Sequence, residues 1–307
     1  MTAPAILLER ASKSFGRQPA VAEVDLAVQA GVCLGLVGHN GAGKSTMIKM
    51  MLGLIRPSAG RVAVLGHDPA AAAGSRVRRD LGYLPENVAL HPAMTGEETL
   101  AFYARLKRQP LARNRELLER VGLGAAARRR VGTYSKGMRQ RLGLAQALLG
   151  TPRVLLLDEP TSGLDPGLRQ SFYEIVLALR HEGACVLLSS HALSELEGKA
   201  DRVAVMRSGR KVADGTIQEL RHLSGVRPRV RLKLAHAPRL AVNAPDPWQS
   251  WSRLSNGVLE TECDEADIAG LLRGLPAGAT EVEIVRPSLD DIYAGFLRQD
   301  AASGDRK

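Results

Sequence analysis

The 307-residue sequence predicts an α/β fold with a parallel central sheet, followed by a small α+β unit. Three observations predict it. Val32–Val37 is a nearly continuous apolar run that ends at a glycine-rich loop and a helical pattern, as expected of a strand buried on both faces. Val154–Leu157 and Cys185–Ser189 are two further apolar runs with helical spacing near Gly167–Arg180 between them. A β-α-β succession of this kind implies parallel pairing. After Leu220 the composition shifts toward short alternating strands and acidic residues.

Each element follows in order. Alternating apolar positions in Ile6–Leu8 and Val24–Val28 read as antiparallel strands. Lys44–Leu52 has helical spacing and stops at Gly53. Residues 88–150 read as mostly helical, with Thr95 and Glu98 forming a capping box for a helix to about Lys107 and a second helix near Arg115–Val121. Val203–Met206 and Lys211–Ala213 look like a hairpin. Val226–Leu234 alternates Arg229, Arg231 and Lys233 with apolar residues, a strand with one basic face suited to protecting an edge or meeting a partner. A Pro/Ala-rich link, Ala235–Pro247, precedes strands near Val258–Cys263 and Thr280–Val285 and helices near Glu265–Arg273 and Ser288–Arg298. The expected domains are 1–224, with a helical portion at about 88–150, and an accessory α+β domain at 225–307.

Composition excludes several classes. The chain carries 42 Lys+Arg against 32 Asp+Glu, a net +10. Residues 240–307 hold 12 acidic and 6 basic residues, so the positive charge lies in the larger part. A basic body suggests a polyanionic partner: nucleotide, nucleic acid or lipid headgroups. The apolar runs fall short of the ~18–20 residues of a membrane span. Met1–Arg10 lacks a basic-then-apolar leader, so a cytosolic protein is expected. Cys33, Cys185 and Cys263 are odd in number and far apart, matching neither a disulfide framework nor a metal site. No Cys/His/Met cluster has ligand spacing, so no copper is expected on this chain. Met47, Met50 and Met51 read as core, and Arg76, Arg78, Arg79 and Arg128–Arg130 as solvated faces.

The chemistry concentrates in two segments. Gly38-His39-Asn40-Gly41-Ala42-Gly43-Lys44-Ser45-Thr46 fits the phosphate-loop pattern G-x-x-x-x-G-K-S/T between a strand and a helix. Its glycines let backbone N–H groups surround a β-phosphate at a helix N-terminus that favours anions. Lys44 would bind β/γ oxygens and Ser45 a Mg²⁺ ion. The second segment ends the strand Val154–Leu157 in Asp158 and Glu159. Asp158 would hold Mg²⁺, and Glu159 would act as general base toward water.

A phosphate loop with an acidic strand end suits kinases, GTPases and ATPases alike. Tyr134-Ser135-Lys136-Gly137-Met138, followed by Arg139-Gln140-Arg141, narrows the choice. It resembles the signature of the ATP-binding-cassette (ABC) ATPases, LSGGQ-x-Q-R, with Ser135 and Gly137 matching and Tyr134, Lys136 and Met138 departing from the commonest form. The spacing of 23 residues from Ser135 to Asp158 also fits. The resemblance implies a fold with a RecA-like core, an antiparallel β subdomain and a helical signature subdomain. It implies that Phe15 stacks on adenine, that Asp165 belongs to a loop crossing a dimer interface, and that His191 is the switch histidine at the γ-phosphate. Glu86 stands where the family usually has a Gln that reaches Mg²⁺ and the transport partner. Ser135, Lys136, Gly137 and Met138 would act in trans, on ATP bound by a second protomer.

Arg286-Pro287-Ser288-Leu289-Asp290-Asp291 resembles the ending of ATPase subunits that serve ABC-2-type permeases. Details around Gly38–Asn40, Leu84–Val88 and Thr133–Arg141 resemble the subgroup that supports copper-site assembly of nitrous oxide reductase. The resemblance implies an ATPase using ATP and Mg²⁺. It implies a homodimer on the inner face of the membrane, bound to a permease and, through it, to a periplasmic accessory protein, with no nucleic acid partner. The alternative is the ATPase of an ABC-2 exporter for a drug or lipid. DNA- and ribosome-acting members fit less well. Only 91 residues separate Lys44 from Ser135, too few for a long coiled coil, and there is one set of motifs.

Overall fold

The computed structural model describes residues 3–71, 74–162, 164–234, 251–254, 258–275 and 278–304. It divides into two compact units, Met1–Ile217 and Gln218–Lys307. The division thus falls within the helix Ile217–Ser224 and not after Ser224.

The first unit begins with strands β1 (Ile6–Phe15), β2 (Gln18–Val28) and β3 (Cys33–Val37), then helix α1 (Lys44–Met51) and strand β4 (Ala59–Val64). A short helix α2 (Gly74–Val77) leads to β5 (Leu81–Leu84). Helices α3 (Gly96–Leu106), α4 (Asn114–Arg120) and α5 (Lys136–Ala147) follow. Then come β6 (Val154–Leu157), α6 (Pro166–His181), β7 (Cys185–Ser190), β8 (Arg202–Arg207) and β9 (Arg210–Gly215), and α7 (Ile217–Ser224) begins at the unit's last residue and continues into the second unit.

Two sheets organise this unit. The first has order β2-β1-β4 and is antiparallel. Ile6, Leu8 and Ala11 are buried while Glu9 and Arg10 are exposed, the alternation of a sheet covered on one face. The second has order β5-β6-β7-β3-β8-β9. It is parallel through β8, and β9 returns as the hairpin. β3, β6 and β7 are buried at every position, which is why their sequences run apolar without alternation.

The helical stretch starts where its caps predict. Thr95 Oγ1 accepts from Glu98 N–H at 3.2 Å, and Thr95 N–H donates to Glu98 Oε2 at 2.7 Å. Two strands lacked a sequence signal. Gly60 interrupts β4 at φ 76°, and Gly82 sits within the four residues of β5. A Cβ at Gly82 would lie 2.4 Å from the Ala147 carbonyl oxygen, so glycine there lets the end of α5 approach the strand. Met47, Met50 and Met51 are buried in the core as expected. The three cysteines are free and buried, and burial pushes the Cys33 and Cys185 thiols up to about 12. Among the described residues no helix is long and apolar enough to cross a membrane.

The second unit contains β10 (Arg229–Leu234), β11 (Ser252–Arg253), β12 (Leu259–Glu262), α8 (Ile268–Arg273), β13 (Ala279–Val285) and α9 (Leu289–Gly304). Its antiparallel sheet has order β11-β12-β10-β13. The basic strand β10 is therefore central, which corrects its expected place at an edge or partner face. Arg231 pairs with Glu260 at 2.8 Å and Glu283 at 3.4 Å, and Lys233 with Glu281 at 3.8 Å. The cations face carboxylates on both neighbouring strands, the cross-strand pattern that stabilises a sheet. The link Ala235–Pro247 lies outside the described residues.

Candidate active site

The site forms at the C-terminal ends of the parallel strands, where β3 passes into the 38–43 loop and α1. Gly38 and Gly43 shape that loop. An added Cβ would stand 2.6 Å from the Met206 carbonyl oxygen at Gly38 and 2.5 Å from the Ala20 carbonyl oxygen at Gly43. Gly43 also holds the left-handed conformation at φ 100°, open to glycine at little cost. No side chain caps α1, so its first N–H groups are left for an anion.

A cavity of about 370 Å³ lies over this helix start. His39, Asn40, Gly41, Ala42, Gly43, Lys44, Ser45 and Thr46 line it, with Phe15 and Glu86 from other segments and Glu159 beneath. Phe15 is 55% exposed, unusual for a phenylalanine within a strand sheet and suited to a flat ring laid on it. Gly38 lies at the base of the loop and accepts from Lys44 Nζ through its carbonyl.

Glu159 is the junction of the site. Lys44 Nζ stands 3.3 Å from Glu159 Oε1, and His191 Nδ1 stands 3.2 Å from Glu159 Oε2. Two residues far apart in sequence, Lys44 and His191, thus converge on the Glu159 carboxylate. Glu159 is a non-glycine residue at φ 45°. Its N–H donates to Ser189 Oγ at 2.9 Å, and Ser189 Oγ donates to Asp158 Oδ1 at 2.7 Å. Asp158 is buried and its N–H donates to the Leu84 carbonyl. Burial, with the Asp158 charge adding to it, pushes the nearby Tyr83 phenol up to about 12, so Tyr83 stays protonated.

The remaining predicted residues form a second group. Ser135 caps α5 by accepting from Met138 N–H at 3.2 Å, and Asp165 caps α6 by accepting from Leu168 N–H at 2.9 Å. A Cβ at Gly137 would lie 3.0 Å from Leu168 Cδ1, so the two caps' segments pack closely. Lys136 is exposed at the first turn of α5. Ser135, Lys136, Gly137, Met138 and Asp165 do not line the described cavity. Gly163 lies outside the described residues.

Sequence reading passed over three contributors. Ser189 touches both acids and stands two residues before His191. Gln140 donates to the Pro160 carbonyl at 2.9 Å, tying α5 to the loop after Glu159. Glu195 accepts from Ser190 Oγ at 2.6 Å and stands 3.8 Å from Arg169 on α6.

The donor set fits a magnesium nucleotide. An uncapped helix start and a lysine suit phosphate oxygens. Ser45, Asp158 and Glu86 offer oxygen ligands, the kind a hard cation takes.

Comparison with known proteins agrees. The family described as "ABC transporter" matches residues 21–162. The daunorubicin resistance ATP-binding protein DrrA3 of Streptomyces coeruleorubidus is 38% identical over 313 residues, covering 98% of this chain and 98% of that protein. The doxorubicin resistance ATP-binding protein DrrA of Mycobacterium tuberculosis (strain ATCC 25618 / H37Rv) is 38% identical over 227 residues, covering 72% of this chain and 68% of that protein. A solved structure of an ATP-binding subunit of an ABC transporter matches with TM-score 0.67 and 30% identity, covering 72% of this chain and 93% of that one. The dimeric structure of MJ0796, a bacterial ABC transporter cassette, matches with TM-score 0.64 at 23% identity, over 69% of this chain and 98% of that one, a likeness of fold. With relatedness that runs over nearly its whole length, the chain belongs to the ATP-binding subunits of ABC transporters and is an ATPase.

Proposed function

We propose that this chain is the ATP-hydrolysing subunit of an exporter for an amphipathic drug-like compound, working as a homodimer beneath an ABC-2-type permease. The observation that carries the reading is the 38% identity, across both units, to a protein named for daunorubicin resistance. The relatives favour this reading over the copper-site-assembly subgroup that the short loop details resemble.

In this reading magnesium-bound ATP supplies the phosphoryl bond that is cleaved and the metal charge that stabilises its oxygens. Lys44 leaves Glu159 for the phosphates. Freed of the lysine but still held by His191, Glu159 accepts the proton of the attacking water. Ser45, Asp158 and Glu86 hold the metal, and Phe15 carries the adenine ring. Ser135, Lys136, Gly137 and Met138 of the second protomer close the site from outside, and Asp165 lies at that contact. The N-terminal unit serves as the nucleotide domain, and the C-terminal unit serves architecture or regulation.

The test is efflux. Cells expressing the chain with its permease are loaded with daunorubicin, and accumulation is compared with cells carrying Glu159→Gln. Export in the first and retention in the second is expected. Equal accumulation, together with an incomplete copper cluster in nitrous oxide reductase from the mutant, would return the copper-assembly reading.

A further inference from the structure

Asp158 and Glu159 are neighbours with different partners, yet one side chain from another strand touches both. Ser189 on β7 is 1% exposed. The parallel register sets Leu157 beside Leu188, which brings Ser189 level with Asp158. Its hydroxyl donates to Asp158 Oδ1 at 2.7 Å and accepts the Glu159 N–H at 2.9 Å. The direction of both bonds is fixed by chemistry. An ionised carboxylate only accepts and a backbone N–H only donates, so the hydroxyl's single proton goes to Asp158.

The second bond falls at a residue whose backbone is in the left-handed region. Glu159 stands at φ 45°, a conformation costing a non-glycine residue about 1–3 kcal/mol unless its surroundings hold it. A satisfied core serine would serve as well with any carbonyl nearby. Both partners of Ser189 instead belong to the acidic pair. The adjacent Ser190 is engaged elsewhere, with Glu195 and the Ala192 carbonyl.

We infer that Ser189 is a positioning residue of the hydrolytic site. It orients the Asp158 carboxylate, and it holds the Glu159 backbone in the left-handed conformation that places its side chain between Lys44 and His191. The inference rests on the roles given above to Asp158 and Glu159.

The experiment uses the full chain and two readouts. In the nucleotide-free protein, hydrogen exchange at the Glu159 amide is followed in wild type, Ser189→Ala and Ser189→Thr. In hydrolysis assays kcat, KM for ATP and the half-saturating Mg²⁺ concentration are measured. Ser189→Ala is expected to speed exchange at that amide and to lower kcat about tenfold, the scale of one lost hydrogen bond to a charged group. KM for ATP stays near wild type, half-saturating Mg²⁺ rises, and Ser189→Thr recovers most of kcat because it keeps the hydroxyl. Should Ser189→Ala fail to fold, Ser189→Cys keeps the side-chain shape with a somewhat larger thiol that is only a weak donor, and gives the same readouts. Wild-type kcat together with unchanged exchange at Glu159 would overturn the inference. Glu159→Gln is measured alongside. If it keeps wild-type turnover the base assignment fails instead, and the amide exchange still decides whether Ser189 holds the backbone.

Discussion

Helices α1 and α3 start in opposite ways. At α3, Thr95 and Glu98 satisfy each other's backbone groups, and a side chain likewise caps α5 and α6. At α1 the cap position is Gly43 in the left-handed region, with no side-chain bond. A capped start stabilises its helix by about 1 kcal/mol, which α1 forgoes. What holds α1 is burial. Met47, Ile48, Met50 and Met51 are at most 1% exposed, and each such side chain contributes roughly 1.5–3 kcal/mol. The difference separates a helix that ends its own accounting locally from one that keeps its N–H groups in reserve for an anion.

The largest expected effect follows from that reserve. Lys44 stands at the uncapped start and is 5% exposed, facing Glu159. Lys44→Ala is expected to weaken MgATP binding about 10²-fold, the scale of a lost charge-assisted contact. Titration calorimetry measures it. Near wild-type affinity would mean that the loop's backbone alone holds the phosphates, and the contrast with α3 would carry less.

The same contrast shows what a sequence reader can see. Thr95–Glu98 and Gly38–Thr46 are legible because the interacting groups lie within a few residues. Asp158–Glu159 at the end of an apolar run is legible for the same reason. Ser189, 31 residues from Asp158, is not, because only the parallel register makes them neighbours. Arg231 meets Glu260 and Glu283 across 29 and 52 residues, so its strand reads as an unpaired basic face until the sheet order is known. Strand β5 stayed hidden because Gly82 answers to a helix end, the Ala147 carbonyl, and not to strand propensity.

A middle-sized effect sharpens the comparison between two capped helices. Thr95→Ala and Ser135→Ala each remove a cap and should each cost about 1 kcal/mol of stability. Thr95 lies away from the nucleotide cavity, so its variant should lose melting temperature and keep turnover. Ser135 can accept from Met138 N–H and still has its own proton to donate. In the dimer reading that proton serves the partner's nucleotide, so Ser135→Ala should lose turnover as well. Paired melting and ATPase measurements decide it. A Ser135→Ala chain that loses only stability would reduce this serine to a cap.

The smallest effect near neutral pH lies at the other end of the helices, where the last carbonyls need donors. Lys107, the residue after α3, donates from Nζ to the Leu81 carbonyl at 2.8 Å and the Leu149 carbonyl at 3.0 Å. One cation thereby serves the edge strand β5 and the chain just past α5, where the helix dipole also favours positive charge. Burial pulls its pKa down to about 8, with Asp80 opposing the shift. An unfolded chain keeps that proton up to the ordinary lysine range of about 10.4. Between those values the unfolded chain binds more protons than the folded one, so the stability owed to this group rises with pH through 8. Below 8 both states are charged, and the folded state carries the whole cost of burying the ammonium. The stability difference between wild type and Lys107→Met should therefore grow in favour of wild type, by a few tenths of a kcal/mol between pH 7 and 8 and further toward pH 10. Urea denaturation at pH 7, 8 and 9 measures it. A difference that shrinks as pH rises would mean that the two carbonyls hold the charged form more strongly than burial opposes it, making Lys107 a stronger helix-end donor than its burial implies.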